Sequence, residues 1–220
     1  MTAPATPTRQ ERAQATRRRI LEVAVEVFAA RPYSEVSAGE IASQAGVAHG
    51  LTFHHFGSKR GLYLEAVWEM SRQLFDVAPA DPTAPPGVQL RDVLHQHFTR
   101  VAEHEELLLG YVRNSVAISS DPEAWDVLEN FRLAMVDWVC DAIGVDRNSP
   151  ALRLMLRTAG DALDQLSVRW LQQGRQFEIN HLVEAVMHVV TGSLAAAEAL
   201  DPTLNASEAV ELLAESRSAM

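Results

Sequence analysis

From Val88 onward, apolar residues return at steps of three and four, and no period-two alternation runs long enough for a strand. The repeat is broken at Asp121-Pro122, at Asp146-Arg147-Asn148-Ser149-Pro150, at Gly174 and at Asp201-Pro202, where turn formers interrupt it. These signals predict helices over 88–103, 105–119, 122–143, 150–173, 178–200 and 207–215. A chain of 220 residues can bury one large helical core or a small head plus a larger body. The expected fold class is all-α.

The first eighty residues follow the same rule with shorter elements. Residues 1–8, rich in Pro, Ala and Thr, read as a disordered tail. Thr8 and Glu11 have the spacing of a capping box, after which Ile20, Val23/Ala24 and Val27/Phe28 keep helical spacing until Arg31-Pro32-Tyr33. Ser37-Ala38-Gly39-Glu40 reads as a second box, opening a short helix that buries Ile41 and Ala45. Gly46 permits a tight positive-φ turn. The next helix, 48–54, is so short that packing must hold it. Ser58 caps a fourth helix carrying Leu62, Ala66, Met70 and Leu74 to about Val77. Residues 79–87, with four prolines, are expected as a loop.

Charge is divided unevenly along this frame. The chain is acidic, at −10, yet residues 1–60 carry a net +3 and the rest −13. Lysine occurs once, as Lys59, against eighteen arginines. A basic start on an acidic chain points to nucleic acid at that segment and argues against indiscriminate polyanion binding. Two short helices about Gly46 have the form of a helix-turn-helix, whose second helix enters the major groove. On it, His49, Thr52 and His54 are placed to face base edges or phosphates, with His55 and Lys59 beside a nearby phosphate. Arg9, Arg12, Arg17, Arg18 and Arg19 lie upstream for the flanking backbone.

Thr16–Ala24, Phe28, Val36–Ala42, Ala45-Gly46-Val47, Gly50 and His55-Phe56-Gly57-Ser58-Lys59 closely resemble the DNA-binding head of TetR (tetracycline-repressor-like) transcriptional regulators. The resemblance covers about residues 16–65. It implies a three-helix head over 9–60, a ligand-binding and dimerisation body over 61–220, and a homodimer that represses at a palindromic double-stranded DNA operator until a small-molecule effector releases it. It also extends the DNA-facing set to Arg17, Arg18, Ser37, Gly50, Leu51 and Phe53. Three positions depart from the family pattern. Ala48 replaces the usual hydroxyl cap, which costs the recognition helix about 1 kcal/mol. Leu51 and Phe53 each lack a hydroxyl that would reach phosphate.

In the body, Trp125, Leu128, Phe131, Met135, Trp138 and Ala142 form one stripe, compatible with a core or with a cavity wall. Arg157 and Asp161, four apart, pair on one helical face, either at the surface or as anchors for a ligand. The candidate pocket set is Tyr111, Asn114, Trp125, Phe131, Met135, Trp138, Met155, Arg157, Asp161 and Trp170. Helices 150–173 and 178–200 are the expected dimer pair, the second with the small run Gly192-Ser193-Leu194-Ala195-Ala196-Ala197. Cys140, the one cysteine, rules out an intramolecular disulfide and reads as a packed thiol. His95/His97 and His181/His188 have the wrong spacing for one metal ion. No catalytic set, cofactor loop, signal peptide or membrane span stands out, so a cytoplasmic regulator is expected. An enzyme tethered by the head, or a ligand-independent DNA-binding protein, is the alternative.

Overall fold

The computed structural model describes residues 8–114, 118 and 120–214, and among these every regular element is a helix. In chain order they are α1 (Arg9–Ala30), a 3₁₀ turn (Tyr33–Glu35), α2 (Ala38–Gln44), α3 (His49–Phe56), α4 (Lys59–Phe75) and α5 (Pro86–Glu103). There follow α6 (Glu105–Arg113), α7 (Pro122–Ala142), α8 (Pro150–Gln172), α9 (Ile179–Leu200) and α10 (Ala206–Ala214). The expected tail 1–8 falls outside the described residues except for Thr8, which is the N-cap of α1. Its hydroxyl accepts from Glu11 N at 3.2 Å, and Thr8 N donates to the Glu11 carboxylate at 2.6 Å. Parts of the expected helices 105–119 and 207–215 also lie outside: residues 115–117, 119 and 215.

Two expectations at helix ends are corrected. The loop 79–87 ends early, because Pro86 and Gly87 open α5. A proline in the first turn has no N–H to lose there, and its fixed φ suits the helix. The second capping box is only half made. Ser37 Oγ accepts from Glu40 N at 3.1 Å, but the Glu40 carboxylate turns away to an ion pair with Arg31.

The chain divides into two compact units, Met1–Arg72 with Glu106–Leu128, and Gln73–Glu105 with Glu129–Met220. The first unit thus extends well beyond the expected head boundary at residue 60. Its core joins Ile20, Ala24 and Phe28 of α1 to Ile41 and Ala42 of α2, Phe56 of α3 and Leu62, Ala66 and Val67 of α4, all nearly inaccessible. Phe28, Tyr33 and Tyr63 form an aromatic trio with centroids 4.6–6.1 Å apart.

The contact of α6 with the end of α1 is backbone to backbone. A Cβ on Gly110 would run into Ala29 O and lie 2.6 Å from Ala29 Cα. The same contact satisfies the last carbonyls of α1, which carries no basic residue in its final turn. Arg113 donates to Ala30 O at 2.6 Å, and Asn114 Nδ2 donates to Phe28 O at 2.9 Å.

In the second unit α9 packs along α8 and also meets α5 and α10. Leu182, Val183, Val186, Met187, Val190 and Leu194 are its inner face. By length and mean hydropathy α9 is also long and apolar enough to cross a membrane, although the sequence showed no obvious span. That inner face makes it a core helix of this unit.

Candidate nucleic-acid interface and ligand cavity

The recognition helix is held from below by two residues. Thr52 and Phe56, one turn apart, are its buried side chains. His49, Gly50, Leu51, Phe53 and His54 are exposed, and His55 is half-buried. Glycine at 46 has φ +64° between α2 and α3, and Gly57 ends α3 at φ +73°, both in the region that other residues resist. Ala48 has the extended backbone of an N-cap but offers no side-chain bond, so the first N–H groups of α3 are uncapped from within. Gly50 has open space where a Cβ would stand. Gly50 stands in the first turn of α3, where glycine still loses more backbone freedom than alanine would, and nothing among the described residues requires one there. It leaves room for a close approach from outside.

The placement of Thr52 corrects its expected role. It is 0 % exposed, and its hydroxyl meets no partner among the described residues. Helical spacing alone puts it with His49 and His54, but α3, which packs on α1 and α2, buries it instead. Replacing Thr52 with the isosteric valine is therefore expected to raise stability by about 1 kcal/mol, by removing an unsatisfied buried hydroxyl. Urea unfolding measures this, and affinity for a cognate duplex should stay the same. A tenfold loss of affinity would put the hydroxyl back at the interface.

Three of the expected cations turn out to be engaged within the unit, Arg19 by donating to Gly46 O at 3.4 Å. Arg17 pairs with Glu65 and lies 5.0 Å from the Phe56 ring centroid, tying α1 to α3 and α4. Lys59 donates to Tyr33 O at 2.6 Å, and its ammonium sits 4.1 Å from the Tyr33 ring centroid. Burial holds its pKa below the ordinary lysine value. One of three N–H donors is thus spent on the 3₁₀ turn. Arg18, by contrast, is 77 % exposed and only loosely opposed by Glu22 at 3.7 Å. Ser37 is exposed, and its hydroxyl proton stays available while its oxygen caps α2. His55 is held below the usual histidine pKa, first by desolvation and then by His54 and Arg17. Arg60, next to Lys59, forks onto Asp121 at 2.8 and 3.1 Å and reaches Glu123 at 2.8 Å, which fastens the start of α4 to the start of α7.

The second unit contains a cavity of about 120 Å³. Its wall is mostly apolar, from Phe75, Leu90, Leu94, Phe131, Met135 and Val186 among others, with His97, Arg132, Arg157 and Asp164 as polar members. Of the expected pocket residues it includes Phe131, Met135 and Arg157. The others lie elsewhere. Tyr111 and Asn114 are buried in the first unit, where Asn114 closes α1. Trp125 is 38 % exposed, and Trp170 spends its indole N–H on Phe177 O at 2.9 Å while packing edge-on against Phe98. Trp138, Met155 and Asp161 are outside the cavity lining.

Sequence spacing found the i,i+4 contact of Arg157 with Asp161, at 3.4 Å, but not its stronger partner. Arg157 Nη1 stands 2.6 Å from both carboxylate oxygens of Glu129 on α7. Arg132 of α7 likewise pairs with Asp164 of α8. Desolvation raises the Asp164 pKa against the opposing pull of Arg132. These cross-helix pairs leave no local pattern, so nothing in the sequence flagged Arg132, Asp164 or His97 as cavity residues.

Comparison with known proteins supports both halves. Residues 20–66 match the family model of bacterial regulatory proteins of the tetR family. The HTH-type transcriptional regulator AcrR of Shigella flexneri is 47% identical over 64 residues, 29% of this chain and 29% of AcrR. The HTH-type transcriptional repressor KstR2 of Mycobacterium tuberculosis is 25% identical over 187 residues, 80% of this chain and 90% of KstR2. A tetR-family transcriptional regulator from Streptomyces coelicolor superposes with TM-score 0.72 at 26% identity, covering 91% of this chain and 88% of that one. Residues 20–66 thus match a tetR-family DNA-binding head in sequence, and the chain matches a tetR-family transcriptional regulator in shape along nearly its whole length.

Proposed function

We propose that this regulator is a cytoplasmic, homodimeric repressor that occupies a palindromic operator and is released by a small, largely apolar effector. The observation that carries the reading is the outer face of α3. Gly50, Leu51, Phe53 and His54 are presented to solvent on a helix that only Thr52 and Phe56 anchor, with a glycine no internal contact demands. Phe53 and Leu51 are suited to thymine methyl groups, and His49 and His54 to base edges or phosphates. Arg18, Ser37, His55 and the remaining donors of Lys59 would grip the backbone.

A palindromic operator calls for a dimer. Two recognition helices must reach major grooves about 34–36 Å apart, which a single head cannot do. On α9, Ala185, Val189, Gly192 and Ala199 are exposed, and Leu154 on α8 is 59 % exposed. Small side chains there would let two copies approach closely. The inner stripe of α8, with Leu152, Leu156, Ala159 and Trp170, is buried within one chain and is not available for this. The cavity supplies the effector site, since it is apolar with a few fixed polar groups. An effector that binds the DNA-free state more tightly must weaken operator binding by the same factor that operator weakens it.

The test is a genome-wide footprint, sedimentation on the recovered site, and a screen for compounds that release it. Arg18→Ala is expected to weaken specific and unrelated duplexes alike and to lower the salt slope by about one unit. It is a cleaner probe than Lys59, whose loss would also free the 3₁₀ turn. A monomer on a single half-site at micromolar protein would end the dimer reading. Sequence-indifferent binding that no compound reverses would favour a ligand-independent DNA-binding protein.

A further inference from the structure

The next inference rests on the cavity being an effector site, and it concerns the chemistry of what that site accepts. His97 of α5 is 4 % exposed and forms part of the cavity wall. Its Nε2 stands 3.0 Å from Ser167 Oγ on α8. A serine hydroxyl has one proton, and Ser167 donates it to Leu163 O, one turn back, at 2.9 Å. With that proton assigned to Leu163 O, the Ser167 oxygen accepts from the imidazole, and His97 is the Nε2–H tautomer. Nδ1 is left as a lone pair, and no donor among the described residues reaches it. The ring is packed flat against Phe75, with centroids 6.2 Å apart, and edge-on to Phe98 at 5.4 Å. Burial pushes its pKa down to about 4, so the nitrogen does not satisfy itself by taking a proton.

The charged groups of the wall are already matched. Arg132 holds Asp164, and Arg157 holds Glu129 with Asp161 beside it. An entering carboxylate would set its own lone pairs against Nδ1 and would have to break one of these pairs to find a cation. An entering ammonium would find no carboxylate without a partner. A neutral donor has neither difficulty. We propose that the cavity binds an apolar molecule bearing a neutral hydroxyl group, which donates to His97 Nδ1.

The discriminating probes are the isomers 1-octanol and heptyl methyl ether, with octanoate and octylammonium alongside, titrated into the intact protein by calorimetry. The alcohol should bind about tenfold more tightly than the ether, the worth of one well-made hydrogen bond to a buried acceptor. In His97→Leu that preference should vanish while the ether still binds. Equal binding of alcohol and ether to the native protein, a preference that survives in His97→Leu, or tighter binding of either ion than of the alcohol would overturn the proposal. Those outcomes leave the cavity's effector role standing, whereas failure of all four probes to bind would remove both. Should His97→Leu not fold, nitrogen NMR of the native imidazole decides. The expected signal is an unprotonated Nδ1 that shifts upfield with octanol and not with the ether. An Nδ1–H tautomer, or the same shift with both probes, would overturn it.

Discussion

Gly110→Ala is expected to cost at least about 3 kcal/mol and to loosen the whole amino-terminal unit. The reason is the crossing of α6 over the end of α1, where the added methyl would meet Ala29 O, with Ala29 Cα at 2.6 Å and Ala29 C at 2.7 Å. These are main-chain atoms inside a helix, so no side chain can swing aside to make room. Separation of the two helices would also pull Arg113 from Ala30 O and Asn114 from Phe28 O, leaving carbonyls at the end of α1 without partners. Gly160→Ala is the matched control. It too is a mid-helix glycine, but with open space around the new Cβ, and it should stabilise by about 1 kcal/mol. Thermal or urea unfolding of both variants checks the contrast. A Gly110→Ala protein as stable as the native one would mean that the crossing is not as close as described.

The second large effect concerns the pair that crosses from α7 to α8. Arg132→Met should destabilise by about 3–5 kcal/mol at neutral pH, because it strands Asp164 among apolar neighbours without its guanidinium. Removing both charges, as Arg132→Met with Asp164→Leu, should recover most of that loss. The pH dependence has a definite sign. Desolvation already raises the Asp164 pKa, and Arg132 opposes the rise. Without Arg132 the folded-state pKa rises further above the unfolded value. Stability attached to such a group is present at low pH and lost as pH climbs through the folded pKa. The single variant's deficit should therefore shrink as pH falls from neutral toward the unfolded-state pKa of the carboxylate. A deficit that stays constant over that range, or a double variant no better than the single, would show that the pair is not what holds α7 to α8.

Much of this architecture was legible before any coordinate, because helical periodicity and caps are local. The capping box at Thr8, the positive-φ turn at Gly46 and the buried Ile41 and Ala45 all depend on neighbours within a few residues. The dense motif from Val36 to Lys59 carried the family. What the sequence could not carry was direction. Thr52 differs from His54 by two positions on one short helix, and only packing against α1 and α2 decides which faces inward. Bulk misled in the same way. Trp125 and Trp170 looked like cavity walls because of their size, yet one is partly exposed and the other is locked by its bond to Phe177. The polar members of the cavity were missed because Arg132 and Asp164 lie thirty-two residues apart, where no spacing rule operates.

Lys59 also makes this head convenient to interrogate by covalent chemistry. It carries the one ε-amine in the chain, and its lowered pKa leaves more of it uncharged, and so nucleophilic, than an ordinary surface lysine. Its nitrogen is nevertheless occupied by Tyr33 O and covered by the Tyr33 ring. Acylation requires the amine to let go of Tyr33, so its rate reports how firmly the 3₁₀ turn holds Lys59. Comparing the rate in free protein, on operator and with effector would show how each changes that hold, with no reporter group to engineer in.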